Sequence, residues 1–315
     1  MTSITSTNLP HLHLLLNHVP TLGSAIALGL LLLAFGRQNE HLKQVALEVF
    51  FAIAVLTLPA YLSGTAAQQT LRDQPGISDL AMQVHQDAAL GGFVVTELTG
   101  FVAWIALWQF RRRGRAARGL VAGVLLLSVL ALAIMARAAT LGGEIRHPEI
   151  RRAAAVVETP TRFVTSAIGT YMQQDSPWAW PAAETLHFLG LCLTFGVLLA
   201  VNLRILGVMR RVPFADVHRL LPWGMLGFGV NLVTGMLFFI AASGQYTQNA
   251  PFYWKVVALM IAGANLLYLT VSRTTWAIDT DGGSAFDKAV AVSSIVAWLA
   301  VIYAGRMLPF LGTAF

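Results

Sequence analysis

The 315 residues are 56% apolar and 11% charged, less than half the roughly 25% charge of a soluble domain, which excludes an ordinary water-soluble globule. The formal charge of +6 comes from basic clusters set between long apolar runs. It forms no single basic face, so a nucleic-acid groove is excluded as well. The one cysteine, Cys192, excludes a disulfide framework, a cysteine zinc site and a c-type haem attachment motif.

A helix needs about 20 apolar residues to cross the hydrocarbon core of a bilayer. Eight stretches have roughly that length: 19–36, 45–63, 86–110, 119–141, 185–206, 222–242, 252–272 and 288–308. The chain therefore reads as an all-α integral membrane protein with eight transmembrane helices and both termini on one side. No Lys or Arg precedes the first stretch and no small-residue cleavage pattern closes it, so it is expected to be retained as a span.

Short cytoplasmic loops accumulate Lys and Arg, and the loops after spans one, three, five and seven hold Arg37, Lys43, Arg111, Arg112, Arg113, Arg115, Arg118, Arg204, Arg210, Arg211, Arg219, Arg273 and Lys288. That is 13 of 21 basic residues. The opposite side carries acids such as Asp73, Asp79, Asp87, Glu144, Glu149, Glu158, Asp175 and Glu184. Both termini are thus expected outside, in the periplasm of a bacterial inner membrane.

The longest connection, 146–183, contains Pro148, Pro160, Pro177 and Pro181, and a loop of that length signals function or a domain boundary. Its middle, Arg151 to Met172, suits a short helix on the outer surface, and Trp178 and Trp180 suit the headgroup level. The expected organisation is a four-helix bundle over 1–145, the outer loop over 146–183 and a second bundle over 184–315. Short loops favour up-and-down topology in each bundle.

Six of the eight histidines map outside: His11, His13, His18, His85, His147 and His187. His41 and His218 fall in cytoplasmic loops and read as solvated. His18 opens span one after Asn17, a plausible cap, with Pro20 tolerated in the first turn. His85 opens span three from the same side. Spans one and three are diagonal in an up-and-down bundle, so two imidazoles at equal depth could ligate one haem b. Ala88, Ala89, Gly92 and Thr96 beyond His85, and Ala25 and Gly29 beyond His18, would leave room for the macrocycle, although small residues also mark close helix packing. Arg137 would either neutralise a haem propionate or snorkel to the surface.

Glu97 lies in the middle of span three, where a carboxyl group either takes part in proton transfer or quinol contact or bonds its own helix. Two Glu-x-x-His segments, Glu144 to His147 and Glu184 to His187, have the spacing of di-iron bundles. The first follows Gly142 and Gly143 and runs into Pro148, which argues against a helix there. His187 is a candidate ligand of a second haem, with His147 or Met307 as partner, or a quinone-binding group.

The segment His13-Leu14-Leu15-Leu16-Asn17-His18-Val19-Pro20 resembles the opening of a family of small four-helix bacterial membrane proteins with the pattern His-Pro-x-x-x-His-Phe-Pro. It departs from that pattern at Leu14 and Val19. The resemblance covers about the first 145 residues, places a further family histidine at His85, and implies redox work beside Rieske or cytochrome c modules. From Glu184 to His187 and from Asn202 to Gly207, the second half resembles a CopD-like membrane domain, which implies copper handling. The nine methionines are scattered singly, whereas a copper path would space Met and His along one helix face.

The expectation is a b-type cytochrome carrying electrons between a quinone pool and a periplasmic redox protein or dehydrogenase, with His18 and His85 as axial ligands and a second haem or a quinone at His187. A copper-handling protein collecting metal at His11, His13 and His18 is the alternative, and a cofactor-free anchor of a larger complex is a third.

Overall fold

The computed structural model describes residues 9–72, 77–146, 160–272 and 282–311. Residues 147–159, with His147 and the first part of the expected surface helix, lie outside the described residues, as do Asp73 and Arg273. The described chain is helical throughout, and eight helices are long and apolar enough to cross a membrane.

Among the described residues the helices are α1 (Leu9–Leu16), α2 (His18–Gly36), α3 (Glu40–Leu71), α4 (Asp79–Arg113), α5 (Arg118–Arg146), α6 (Pro160–Thr170), α7 (Ala179–Ile205), α8 (Phe214–His218), α9 (Leu221–Thr247), α10 (Ala250–Val271) and α11 (Ala285–Leu311). A π-helical turn, Tyr171–Asp175, extends α6. Most spans run beyond their apolar stretches. The reason is local: polar ends such as Asn39, whose side chain accepts from the Leu42 amide at 2.9 Å, and Glu40, paired with Lys43 at 2.6 Å, satisfy the first turn of α3.

The chain divides into two compact units, one of residues 1–106 and 115–167, the other of 107–114 and 168–315. In the first, α2 packs on α3 and α5, and α1 packs on α3. The α4 helix meets α3 where Tyr61 stacks on Phe93 at 4.9 Å and where Gly100 lies against Ala54. It meets α5 where Gly92 faces Met135. Within this unit α4 thus touches both α3 and α5, and α2 packs on the same two helices.

In the second unit α7 packs on α9 and α11, and α10 on α11. Gly190 and Gly227 let the backbones of α7 and α9 touch: a Cβ at Gly227 would lie 2.6 Å from the Gly190 carbonyl oxygen. Such close approach is the main source of helix association in lipid, where burial of apolar surface gives little. At one end of the unit, Val201, Ile205, Phe214, Val217 and Leu221 form an apolar cluster with Trp108 against it.

Buried hydroxyls close on their own helices. Thr57 donates to the Ile53 carbonyl at 2.7 Å, Thr194 to Gly190 at 2.8 Å and Thr270 to Leu266 at 2.7 Å, as a medium without water requires. The outer faces are apolar, with Leu22, Leu126, Leu189, Val233, Val257 and Val296 all exposed. That surface suits contact with lipid.

Arg204, assigned from sequence to a loop, is instead in the last turn of α7 and only 2% exposed, its Nε donating to the Val212 carbonyl at 2.7 Å. Gly207, at φ +85°, turns the chain after Ile205. The Gly283 amide bonds the Ile205 carbonyl at 2.9 Å, and a side chain at 282 would sit 3.0 Å from that oxygen.

Helix α11 begins with a reciprocal cap. The Ser284 amide and hydroxyl donate to Asp287, the Asp287 amide donates back to the Ser284 hydroxyl, and Tyr268 Oη adds a bond to Asp287 at 3.0 Å. Asp287→Ala is expected to lower stability by about 1–2 kcal/mol, read as an earlier thermal unfolding transition in detergent. An unchanged transition would count against the cap.

Candidate functional site

Helix α1 is a short half-turned arm. It ends at Leu16, and the chain resumes at His18 as α2, whose buried residues are Pro20, Ser24, Ala27, Leu31 and Ala34. That register leaves His18, Leu22, Ala25, Ile26 and Gly29 on the exposed face, so the α2 face expected to line a macrocycle is turned away from the bundle. The cause is the phase of the helix: its small buried residues seat it on α3, with Gly23 close against Ile53.

His13, one helix earlier, turns inward. Its Nδ1 is 3.0 Å from the Ala60 carbonyl oxygen, and the ring lies in the hollow over Gly64, where a Cβ would be 2.8 Å from His13 Cε1. His85 on α4 repeats this arrangement on α5. Its Nδ1 is 2.8 Å from the Ala138 carbonyl oxygen, and a Cβ at Gly142 would be 3.1 Å from His85 Cε1. In both cases the carbonyl belongs to an alanine and the hollow to the glycine four residues on. The two imidazoles are near enough for their charges to interact.

A carbonyl oxygen can only accept, so each Nδ1 must carry the proton, and each Nε2 keeps its lone pair. Neither Nε2 makes a hydrogen bond among the described residues. Two half-buried neutral imidazoles, oriented by backbone acceptors and with free Nε2 atoms, are the donor set that metal-ligating histidines present. Two imidazoles of this kind could hold a haem iron.

Helix α5 continues through Gly142 and Gly143 to Arg146, so Glu144 is helical, contrary to expectation. The glycines do not break the helix; Gly142 makes the hollow that takes His85. Arg137 is exposed on α5, beside Ala138 in sequence. Gly92 does not open free space, because a Cβ there would meet Met135 Sδ at 2.9 Å. Thr96 Oγ1 and Glu97 Oε1 are buried on α4 with no hydrogen-bond partner among the described residues.

In the second unit His187 on α7 shows the same protonation logic. Its Nδ1 is 2.8 Å from Thr234 Oγ1 on α9. Because the Thr234 hydroxyl gives its proton to the Val230 carbonyl at 2.7 Å, it accepts from His187, and His187 Nε2 keeps its lone pair. The ring meets Phe238 edge-on at 5.7 Å, and Phe238 in turn meets Trp180 at 4.9 Å. Lys255 on α10 is within electrostatic range of His187.

Met307 lies on a mostly apolar groove of α10 and α11, among Trp254, Ile261, Val296 and Tyr303. His11 and His41 are exposed. His218 is half-buried and stacks on Trp108 at 6.3 Å, so the solvated loop position expected for it is corrected: its helix, α8, packs on the apolar cluster at that end. Among the described residues no three His, Cys, Asp or Glu side chains come together as a metal cluster.

The sequence expectation paired His18 with His85 by their places at span starts and kept His13 as a further cofactor-binding candidate, whereas the structure turns His13 inward and His18 outward. The signal that expectation overlooked is the pair of segments Ala60-x-x-x-Gly64 and Ala138-x-x-x-Gly142, each a small-residue step that can seat an imidazole. No protein-family model, curated protein or solved structure matches this chain.

Proposed function

We propose that the protein is a membrane b-type cytochrome, in which His13 and His85 would hold a haem b. The observation that carries this reading is the pair of Nδ1–H donations to backbone carbonyls, which leaves two Nε2 lone pairs in the same unit without partners among the described residues. When bound, the haem supplies one-electron redox chemistry. The residues of this chain would hold it: Ala60 and Ala138 fix the tautomer of each imidazole, and the hollows over Gly64 and Gly142 seat the rings.

Helices α2 to α5 and the packed α7, α9, α10 and α11 are read as tandem up-and-down bundles. The sorting of basic residues supports a bacterial inner membrane location with both termini periplasmic. His13 and His85 then lie toward the periplasmic side, within reach of a soluble redox protein or dehydrogenase subunit, and the resemblance of the first half to redox-associated membrane proteins agrees with this.

The test is an absorbance spectrum of protein purified in detergent, oxidised and then reduced with dithionite. A Soret band and a sharp reduced α band are expected, lost in His13→Ala and in His85→Ala and retained in His18→Ala. Colourless wild-type protein would overturn the reading. If that colourless protein held copper, metal handling would take its place, and metal-free protein would point to an anchor subunit.

A further inference from the structure

We propose that the groove between α10 and α11 binds an anionic phospholipid, with the headgroup on Lys288 and one acyl chain laid along the first half of α11. The site lies within the second unit and is independent of the haem reading.

The two helices run antiparallel in a register fixed by two contacts. Asn265 Nδ2 on α10 donates to Ser293 Oγ on α11 at 3.1 Å, and Lys255 Nζ lies 3.7 Å from where a Cβ of Gly305 would be. That register sets Val271, the last residue of α10, level with Lys288 near the start of α11. Between the helices runs a groove of about 860 Å³, within the roughly 300–1,000 Å³ of small-molecule sites. Its lining is mostly apolar, and among the described residues Lys288 is the one charged side chain on it.

Lys288 is half-buried, and its ammonium has no hydrogen bond or ion pair among the described residues. The acid next to it in the chain is already engaged: Asp287 is 1% exposed and accepts from the Ser284 amide and hydroxyl and from Tyr268 Oη. A second cation stands at the same end, where Arg111 Nη1 donates to the Val271 carbonyl at 3.4 Å. An apolar groove that ends on positive charge suits an amphiphile with an anionic head, the chemistry by which basic pockets between membrane helices take anionic lipids.

The dimensions agree. One leaflet holds about 15 Å of hydrocarbon, half of a core of about 30 Å, which is about ten residues of helix. From Lys288 that length takes in Ala289, Val292, Ser293, Val296 and Ala297, with Ile261 on the α10 side. Ser293 is the polar one, and its oxygen already accepts from Asn265, so this half offers an acyl chain apolar surface. Seating the chain gains little against a lipid background, and selection therefore falls to the charge at Lys288.

A partner helix is a poorer match. It could lie along the same small residues, but it would need an acid of its own at the level of Lys288. A second copy of this chain, docked groove to groove about an axis normal to the membrane, would set two Lys288 ammonium groups at one level, where like charges repel.

The site can be tested in phosphatidylcholine nanodiscs with a phosphatidylglycerol that carries a photoactivatable diazirine midway along one acyl chain. Labelling is expected on peptides of α10 or α11, competed by unlabelled phosphatidylglycerol and not by zwitterionic phosphatidylethanolamine. Lys288→Gln should raise the competitor concentration needed about fivefold. Ala289→Trp, at an exposed position beside Lys288, should fill the groove and remove the label. Lys43→Gln, whose ammonium is paired with Glu40 at 2.6 Å in the first unit, should leave labelling unchanged. Gel filtration identifies a variant that fails to fold, in which case the other decides.

Labels spread evenly over all the spans, or equal competition by the two lipids, would show ordinary boundary lipid and overturn the assignment. So would labelling unchanged in the folded groove variants. A dimer whose cross-links join α10 or α11 of two copies, with no lipid label there, would give the groove to a second copy instead.

Discussion

Gly227→Leu is expected to abolish recovery of folded protein from membranes, and Gly227→Ala to cost about 2–3 kcal/mol of stability in detergent. A Cβ at this position would meet the Gly190 carbonyl oxygen at 2.6 Å, Thr194 Oγ1 at 2.8 Å and the Thr194 amide nitrogen at 2.9 Å. Two of these are backbone atoms that cannot rotate away. The helices α7 and α9 would have to separate, and with them the Thr234 bond that orients His187. Gly196 on the same α7 helix has nothing within 4 Å of its Cβ position, so Gly196→Ala should be neutral or slightly stabilising. Equal unfolding temperatures for Gly227→Ala and wild type would show that the two backbones do not touch.

Gly64→Val and Gly142→Val are expected to weaken haem retention by about 10–100-fold, the usual cost of disturbing the groups that orient a metal ligand, with little change in unfolding temperature. The added side chains would occupy the places of the His13 and His85 rings, whose Cε1 atoms lie 2.8 Å and 3.1 Å from the new Cβ positions. A half-buried ring can swing outward without unpacking a helix, but it then loses its carbonyl partner, Ala60 or Ala138. Gly29→Val is the control. Gly29 shares the exposed face of α2 with His18 and has open space around it. Loss of haem in Gly29→Val, with retention in the other two, would return the ligand role to His18.

The His18 expectation and the His13 geometry differ by five residues, less than two helical turns. Both histidines have a helix start nearby, and span length alone does not say which side of a helix faces its neighbours. The buried residues of α2 are Pro20, Ser24, Ala27, Leu31 and Ala34, a small-residue stripe that sequence inspection could have preferred to Ala25 and Gly29. Arg204 was read as a loop charge because charge counts locate loops only to within a turn. Its burial goes with the Val212 carbonyl, which lies beyond the end of its helix.

Composition and the lengths of apolar runs by themselves determined that this chain is all-helical, with eight helices long and apolar enough to cross a membrane. A bilayer imposes that answer on any segment long enough to cross it, because every backbone polar group must be satisfied within the helix. Only the tertiary structure decided which histidines turn inward and which ring nitrogen each one leaves unbonded. Tautomer and ring orientation come from acceptors on neighbouring helices, Ala60, Ala138 and Thr234, which lie between 47 and 53 residues away in the chain, and no local pattern records which way two helices turn toward each other.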